Sequence, residues 1–563
     1  MPPSPPICRV LFEPSGLKTE VSRGSTLLEA AGLAGVYLSS VCGGDGTCGK
    51  CRVAVSAGQV EPPPASPDEL VLACRTAVLT DVTVAVPHEH RLDTGRILVG
   101  VDTHHGPHEA VAGLFPLDPL RPDTGPAAAC RWSVAVDVGT TTVVAHLLDL
   151  ETGATAGAEA AYNSQMHFGD DYIRRIMYAE AEGGWTELQR RVVADINGLV
   201  AALASRHGLM PDDVGAVVCS GNTAMIHFLL GLEAGWIRRG QENPDGLRFA
   251  PRPAREVGLR IHEAGLLYVL PAVGAYVGGD IVAGVLATRM DDAAGLRLLI
   301  DIGTNGEVVL GGREWMACAS SSAGPAFEGS GVRHGMRATA GAIERLSFTP
   351  QGEVRYRTVG DEPPRGLCGS GLMDTLAGLL GAGIIDRAGR FADRGDPRLA
   401  EGPDGPEFTL VPAAGGRGAI VITQADILNL VRSKAGVYSA IDALLAATGT
   451  APADLESIDV AGGFGHHLDP AKAVAIGMLP DVPADRIRFV GNSSVAGAKM
   501  AALSRAAYAR AGEIAGRMTY FDLMTHPGYM DAFIQANFLP HTDLARFPSA
   551  ARAAGAAGQG TSA

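Results

Sequence analysis

Positive charge is scarce in this chain. Its 46 lysines and arginines face 61 aspartates and glutamates over 563 residues, a net charge of −15. A surface that neutralises nucleic-acid phosphates needs the opposite balance, so nucleic acid is not the expected partner. Long apolar runs are missing as well. The longest stretch free of Asp, Glu, Lys and Arg, Val214 to Leu232, is interrupted by Ser220, Gly221, Asn222, Thr223 and His227. A bilayer span needs about 20 continuous apolar residues, so none is expected. Met1 to Pro6 has neither a basic segment nor an apolar run, so no secretory signal is read there and a reducing cytoplasm is the expected location. Nine cysteines in 563 residues exclude a small disulfide scaffold.

Glycine is abundant, at 73 residues, or 13% of the chain, against a usual share of about 7%. Low complexity does not explain it, because Gly and Pro together make 108 of 563 residues, below the roughly 25–30% that marks disordered composition. The glycines matter where they cluster, and the clusters fall in loops.

Along the chain, Ile7 to Phe12, Arg52 to Val55 and Val82 to Val86 read as strands, and Thr26 to Ala34 as a short helix. Together they make a small unit over residues 1–88. Residues 89–130 hold Pro107, Pro116, Pro119, Pro122 and Pro126 without strong periodicity and read as a linker. His88, His90, His104, His105 and His108 fall in or beside it, with no partner at a recognisable ligand spacing; solvated linker is the plainer reading and a metal site the other.

Beyond Arg131, β and α signals alternate. Trp132 to Val136, Ala216 to Cys219, Leu298 to Ile300 and Ser457 to Val460 read as strands, and Thr186 to Ala204 as an amphipathic helix opened by a Thr186/Gln189 capping box. Two segments repeat. Val134-Ala-Val-Asp-Val-Gly-Thr-Thr-Thr142 and Leu298-Leu-Ile-Asp-Ile-Gly-Thr-Asn-Gly306 place Asp137 and Asp301 164 residues apart in the same setting. The expectation is two similar α/β lobes, 131–294 and 295–555, with an Ala/Gly-rich tail at 556–563.

Four cysteines fall within 33 residues: Cys42, Cys48, Cys51 and Cys74, spaced C-x5-C-x2-C-x22-C. Four thiolates converging on an iron–sulfur core need a tightly wrapping loop, which Gly43, Gly44, Gly46 and Gly49 allow. Structural zinc is the competing reading, but zinc favours two close pairs and only Cys48 and Cys51 form one. Cys8, Cys130, Cys219, Cys318 and Cys368 read as buried thiols. The region resembles the plant- and vertebrate-type ferredoxins, whose 2Fe–2S cluster sits in an α+β β-grasp fold; its first gap is one residue longer than the plant spacing and so closer to the vertebrate form. The resemblance implies a one-electron carrier of low potential.

A strand ending in Asp-x-Gly-Thr turns sharply enough to present backbone N–H groups to phosphate oxygens, while the Asp suits a hydrated Mg2+. One such loop is weak evidence; two are stronger. A third loop, Val460-Ala-Gly-Gly-Phe-Gly465, follows a strand and suits a base or ribose lying against the backbone. This order of loops resembles the acetate and sugar kinase, heat-shock chaperone and actin (ASKHA) superfamily, which binds ATP between duplicated lobes. With the ferredoxin unit, Ser220-Gly-Asn-Thr223, Ala323-Gly-Pro-Ala-Phe-Glu-Gly329 and Phe538-Leu-Pro-His541, nearly the whole chain resembles the reductive activators of corrinoid proteins.

That resemblance implies an ATPase that passes one electron from a 2Fe–2S cluster to the Co(II) corrinoid of a methyl-transfer protein, restoring Co(I). By position, Asp137, Gly139, Thr140 and Thr141 form the first phosphate loop, Asp301, Gly303, Thr304 and Asn305 the second, and Gly462, Gly463 and Phe464 contact adenosine; core packing is the equal alternative for Phe464. Glu328 ranks first as catalytic residue, with Asp301 and Asp137, while Glu307 and Asp280 are further acidic candidates. The implied partners are a corrinoid protein or corrinoid-dependent methyltransferase and a low-potential electron donor, with a homodimer left open. The competing classes are a small-molecule kinase or an ATP-binding redox sensor with an appended electron-transfer domain; activators of radical dehydratases share only the nucleotide fold. If the four cysteines hold iron, Cys51→Ser and Cys74→Ser each strip the purified protein of its visible absorption and bound iron, whereas Cys8→Ser leaves both intact.

Overall fold

The computed structural model describes residues 6–36, 38, 46, 51–66, 69–87, 130–241, 243–244, 246–349, 351–392, 395–414, 417–462 and 468–550. The linker and tail expected from the sequence fall almost wholly outside the described residues.

The first domain is built on a five-stranded sheet. Its spatial order is Leu17–Ser22, Ile7–Glu13, Val82–Ala85, Arg52–Ala57, Leu70–Leu72. Ile7–Glu13 and Val82–Ala85 run parallel and the other neighbours antiparallel. Period-2 burial puts Cys8, Val10 and Phe12 inside with Val53, Val82 and Val84. Helix α1 (Leu27–Leu33) covers this face, opened by a capping box in which Thr26 and Glu29 bond each other's backbone N–H. Leu27, Leu28, Ala30 and Ala31 are its buried side. This is the mixed β-grasp arrangement expected from the sequence.

The two lobes that follow share one topology. In the first, Trp132–Val138, Thr142–Asp149 and Thr155–Tyr162 form an antiparallel meander, and Val214–Gly221 and then Leu266–Val269 add in parallel on the other side of Trp132–Val138. In the second, Leu296–Ile302, Gly306–Gly311 and Met316–Ser321 make the meander, and Leu455–Ala461 and Ile487–Gly491 add in parallel. Each repeated Asp-x-Gly-Thr thus sits at the first turn of a meander, where the strand end is flanked by a parallel neighbour. Strands buried on both faces read as continuous apolar runs, which is why these were visible in sequence.

The first lobe is covered by helices α2 (Tyr172–Glu182), α3 (Trp185–Arg206) and α4 (Thr223–Leu230). The expected capping box at the start of α3 is not formed. Gly183, left-handed at φ 66°, closes α2, and Gly184 is the N-cap of α3 without a side-chain bond, so Thr186 already lies inside the helix. Gln189 instead donates to the Leu229 carbonyl of α4 at 3.3 Å. Beyond the strand at Ser457 to Val460, Ile487–Gly491 and Met518–Tyr520 follow, the latter parallel to Met316–Ser321. Phe521, Tyr529 and Phe533 pack onto the second lobe's core. Cys8, Cys219, Cys318 and Cys368 are buried, and Cys130 half-buried.

The lobes meet where two helices, Gly279–Thr288 and Ser493–Leu503, cross at very close range. A β-carbon on Gly497 would enter the Ala283 carbonyl, and one on Gly284 would lie 2.9 Å from Ser493 Oγ. Only glycine fits at Gly497. Because both contacting elements are helical backbone, Gly497→Ala is expected to lower stability by about 1–3 kcal/mol, the usual cost of overpacking, read as a lower melting temperature, while Gly512→Ala, where a β-carbon meets nothing, leaves it within error or raises it.

Candidate functional site between the two lobes

Both Asp-x-Gly-Thr loops open into one cleft. Gly139 N–H donates to Thr142 O at 3.1 Å, and Gly303 N–H to Asn305 O at 2.9 Å, so each turn is closed by its glycine N–H, three residues on in the first loop and two in the second. A side chain at position 139 would strike the Thr142 carbonyl, which fixes glycine there. Across the cleft the Thr141 and Thr304 hydroxyls stand 3.3 Å apart. The loops are therefore in contact.

Residues distant in sequence hold each loop. Asn222, N-cap of α4, donates to Thr140 Oγ1 at 2.8 Å, and Asn163 donates through Nδ2 to Gly139 O at 2.9 Å. Asp137 receives Asn492 Nδ2 at 2.8 Å and Ser494 Oγ at 2.7 Å, both from the start of the second lobe's crossing helix. Ser494 Oγ lies 2.8 Å from Ser220 Oγ, extending the network into the first lobe. In the second loop, Thr304 Oγ1 donates to Glu328 Oε1 at 3.1 Å, and Arg337 pairs with Glu328 at 3.2 Å. Glu328, expected as the leading catalytic residue, is thus tied to the loop and to a guanidinium.

Carboxylates crowd this cleft. Burial raises Asp137 even though Asn492 and Ser494 favour its charged form. Asp301 is pushed up to about 8 by burial and by Asp280, Asp137 and Glu328, and Asp280 to about 7 by burial and Asp137. Glu307, facing Asp301 across the hairpin, rises well above the carboxylate range through burial, Asp280 and Asp301. Such a cluster attracts a cation or keeps protons. Hard oxygen donors suit Mg2+, which is ordinarily held by one or two carboxylates, water and substrate phosphates. Among the described residues no three His, Cys, Asp or Glu form a preformed metal cage.

Of the third loop the structure describes Val460 and Ala461, which end the strand, and Gly462, left-handed at φ 129° and bonded through N–H to Gly491 O at 3.1 Å. Gly463 and Phe464 lie outside the described residues. In the first domain, Cys51 and Cys74 sit at one end of the sheet, because Arg52 pairs with Leu72 and Ala73 N–H donates to Cys51 O at 2.8 Å. Both thiols are buried and belong to no disulfide, a donor chemistry that fits iron. Cys42 and Cys48 lie outside the described residues. Sequence reasoning missed Asn163, Asn492 and Ser494 as site residues, whereas Asn222 lay within the Ser220-Gly-Asn-Thr223 motif.

Comparison with known proteins gives the same architecture in order. Residues 10–79 match the 2Fe-2S iron-sulfur cluster binding domain, 132–293 the RACo middle region, and 295–551 the C-terminal, ASKHA domain of RACo. A solved structure of a reductive activator for corrinoid, iron-sulfur protein is 37% identical, covers 96% of this chain and all of its own, and superposes with a TM-score of 0.73. The chain belongs to the reductive activators of corrinoid proteins. Within this family it is also similar to the corrinoid activation enzyme RamQ of Eubacterium limosum, 28% identical over 93% of this chain and 98% of that protein. The [Co(II) methylated amine-specific corrinoid protein] reductase of Methanosarcina barkeri is 25% identical over 70% of this chain and 74% of its own.

The raised carboxyls give this activator a pH signature. A group whose folded pKa lies above its unfolded value stabilises at low pH and loses that contribution as pH climbs through the folded value. Without a divalent cation, the melting temperature is expected to fall as pH rises through about 7 and about 8, the values of Asp280 and Asp301. Asp301→Asn should flatten the upper part of that fall, and Mg2+ should offset it in the parent protein by replacing the protons.

Proposed function

We propose that this chain binds ATP with Mg2+ between its two lobes and uses it to drive one electron from its 2Fe–2S cluster to the Co(II) corrinoid of a partner protein, giving Co(I). The carrying observation is the meeting of two duplicated phosphate loops, Thr141 against Thr304 at 3.3 Å, in a chain whose first domain gathers cysteines at one sheet end. In this reading Gly139, Thr140 and Thr141 hold phosphate oxygens from the first lobe, and Gly303, Thr304 and Asn305 from the second. Asp137, Asp280 and Asp301 hold the cation, Gly462, Gly463 and Phe464 the adenosine, and Cys42, Cys48, Cys51 and Cys74 the cluster. In the same reading Glu328, paired with Arg337 at 3.2 Å, orients the attacking water.

When bound, the cluster supplies the single electron, going from its reduced to its oxidised form as cobalt goes from Co(II) to Co(I). A tenfold shift of a one-electron equilibrium corresponds to about 59 mV, so an uphill transfer needs a second source of free energy. Nucleotide that favours one arrangement of the lobes provides it, by changing which state of the corrinoid protein they bind better. The reading includes a low-potential electron donor and a cytoplasmic location; no helix among the described residues is long and apolar enough to cross a membrane.

The test is a visible spectrum. A Co(II) corrinoid protein mixed with this chain, a reductant and Mg-ATP should show Co(I), with ADP and phosphate as the nucleotide products. Equal Co(I) without ATP, or phosphate transferred to a small molecule, overturns the reading. Asp301→Asn is expected to reduce ATP-dependent conversion at least about a hundredfold, the usual scale for removing one charge-stabilising group.

A further inference from the structure

Arg175 is fully buried in the first lobe and reaches no nucleotide-facing position, yet it is spent on the first phosphate loop. Its Nη2 donates to Thr140 O at 2.5 Å, its Nε to Gly169 O at 2.8 Å and its Nη1 to Gln165 Oε1 at 3.3 Å. Burial lowers it to about 10, with Asp170, Asp171 and Asp195 opposing, so the guanidinium stays charged at neutral pH. Asn163 takes the neighbouring carbonyls: its N–H donates to Thr141 O and its Nδ2 to Gly139 O, both at 2.9 Å. Three successive carbonyls of the loop are thus held by one segment, residues 163–175. In a trans peptide the following N–H points opposite to the carbonyl. Holding the Gly139 and Thr140 carbonyls therefore turns the Thr140 and Thr141 N–H groups the other way.

Between its two ends the segment makes one turn of 3-10 helix, Ser164–Phe168. Ser164 is bonded through N–H and Oγ to Asp195 of α3 at 2.8 and 2.9 Å, and Gln165 Nε2 donates to Leu188 O at 2.7 Å, so the turn is fixed to the lobe. From this turn His167 reaches the ferredoxin domain. A β-carbon on Gly32 of α1 would lie 2.8 Å from His167 Nδ1, which means the imidazole already lies against the helix backbone. Helix α1 is itself bonded to both sides of a cluster cysteine: Leu28 N–H donates to Ala73 O and Leu27 N–H to Thr76 O, at 3.0 and 2.9 Å. Beside this contact Cys74, Leu28 and Leu33 face Phe168, Ile173 and Met177 across a cleft of about 1100 Å³. Gly32 and His167 thus form a close contact between the two domains, with the cleft beside it.

We propose that residues 163–175 couple the nucleotide loop to the docking of the ferredoxin domain, with Asn163 and Arg175 as positioning residues for Gly139–Thr141 and His167 as the seat for Gly32. The proposal rests on the nucleotide reading given above. Nucleotide that draws on the loop shifts the turn carrying His167, and docking of α1 acts back on the loop by the same factor, since coupling between two sites is reciprocal.

Gly32→Ala in the full chain tests this. Alanine suits a helix better than glycine, so α1 and the cluster spectrum survive while the new methyl meets His167. Binding of adenylyl imidodiphosphate with Mg2+ is measured by calorimetry, and amide exchange of residues 27–33 is followed with and without it. In the parent chain the analogue is expected to change exchange in α1. Gly32→Ala and His167→Ala should each abolish that response and shift the analogue's affinity about fivefold or more; Arg175→Lys, which keeps the charge and loses the fork, should weaken the analogue with the cluster spectrum unchanged. Normal binding with α1 indifferent to nucleotide, or parental affinity in Gly32→Ala, overturns the coupling while leaving the nucleotide reading intact. A parent chain that binds no nucleotide overturns both.

Discussion

Burial of carboxyls beside one another governs the centre of this molecule. Asp137, Asp280, Asp301 and Glu307 are all withdrawn from water, and neighbouring carboxyls add to the effect of burial: Asp137 raises Asp280, Asp280 and Asp137 raise Asp301, and Asp280 and Asp301 raise Glu307. At an effective dielectric near 20, two like charges a few ångströms apart cost on the order of 4 kcal/mol. A fold of ordinary stability, about 5–15 kcal/mol, does not carry several such charges bare. The cleft must hold protons or a cation. The Asn492 and Ser494 bonds to Asp137 cross from one lobe to the other, so the contact between the lobes includes one of these carboxyls.

The glycines read differently once their surroundings are known. Gly139 answers to a carbonyl three residues along its own turn, and Gly497 to a carbonyl on another helix. The first belongs to the phosphate loop and the second to the crossing that lets the lobes share a cleft. Both are consequences of backbone meeting backbone, where no side chain has room.

What the sequence disclosed follows from what is local. The repeated Asp-x-Gly-Thr was legible because strand, turn and carboxylate lie within nine residues, and the same topology then surrounds both copies. The pairing of Cys51 and Cys74 was legible as spacing, although their adjacency depends on the Arg52 to Leu72 register. Thr186 misled, because a Thr-x-x-Gln pattern is satisfied by many helix interiors and the Gly183-Gly184 turn set the boundary first. Arg175 and Asn163 gave no signal. Their partners lie 35 and 24 residues away and are backbone carbonyls, which carry no residue identity to recognise. Met518–Tyr520 is three residues long and is a strand only because Met316–Ser321 offers its edge.

The size of the links between the ferredoxin domain and the nucleotide loop bears on how an electron carrier in this chain can work. A hydrogen bond involving a charged group contributes about 1.5–3 kcal/mol net, and a neutral one about 0.5–1.5. Arg175 and Asn163 therefore connect the loop to the turn at 164–168 through a handful of bonds whose combined bias is a few kcal/mol at most. Reversing a two-state equilibrium from 1:99 to 99:1 takes about 5.5 kcal/mol of differential binding. On the proposed coupling, a bias of a few kcal/mol alters the share of time the ferredoxin domain spends docked and does not switch it completely. The contact of Gly32 with His167, beside an open cleft, suits exchange between docked and undocked arrangements: it is specific enough to return the domain to one place, and the cleft leaves it room to release. A carrier that must take an electron from one protein and give it to another needs both properties, and a larger, drier interface would supply only the first.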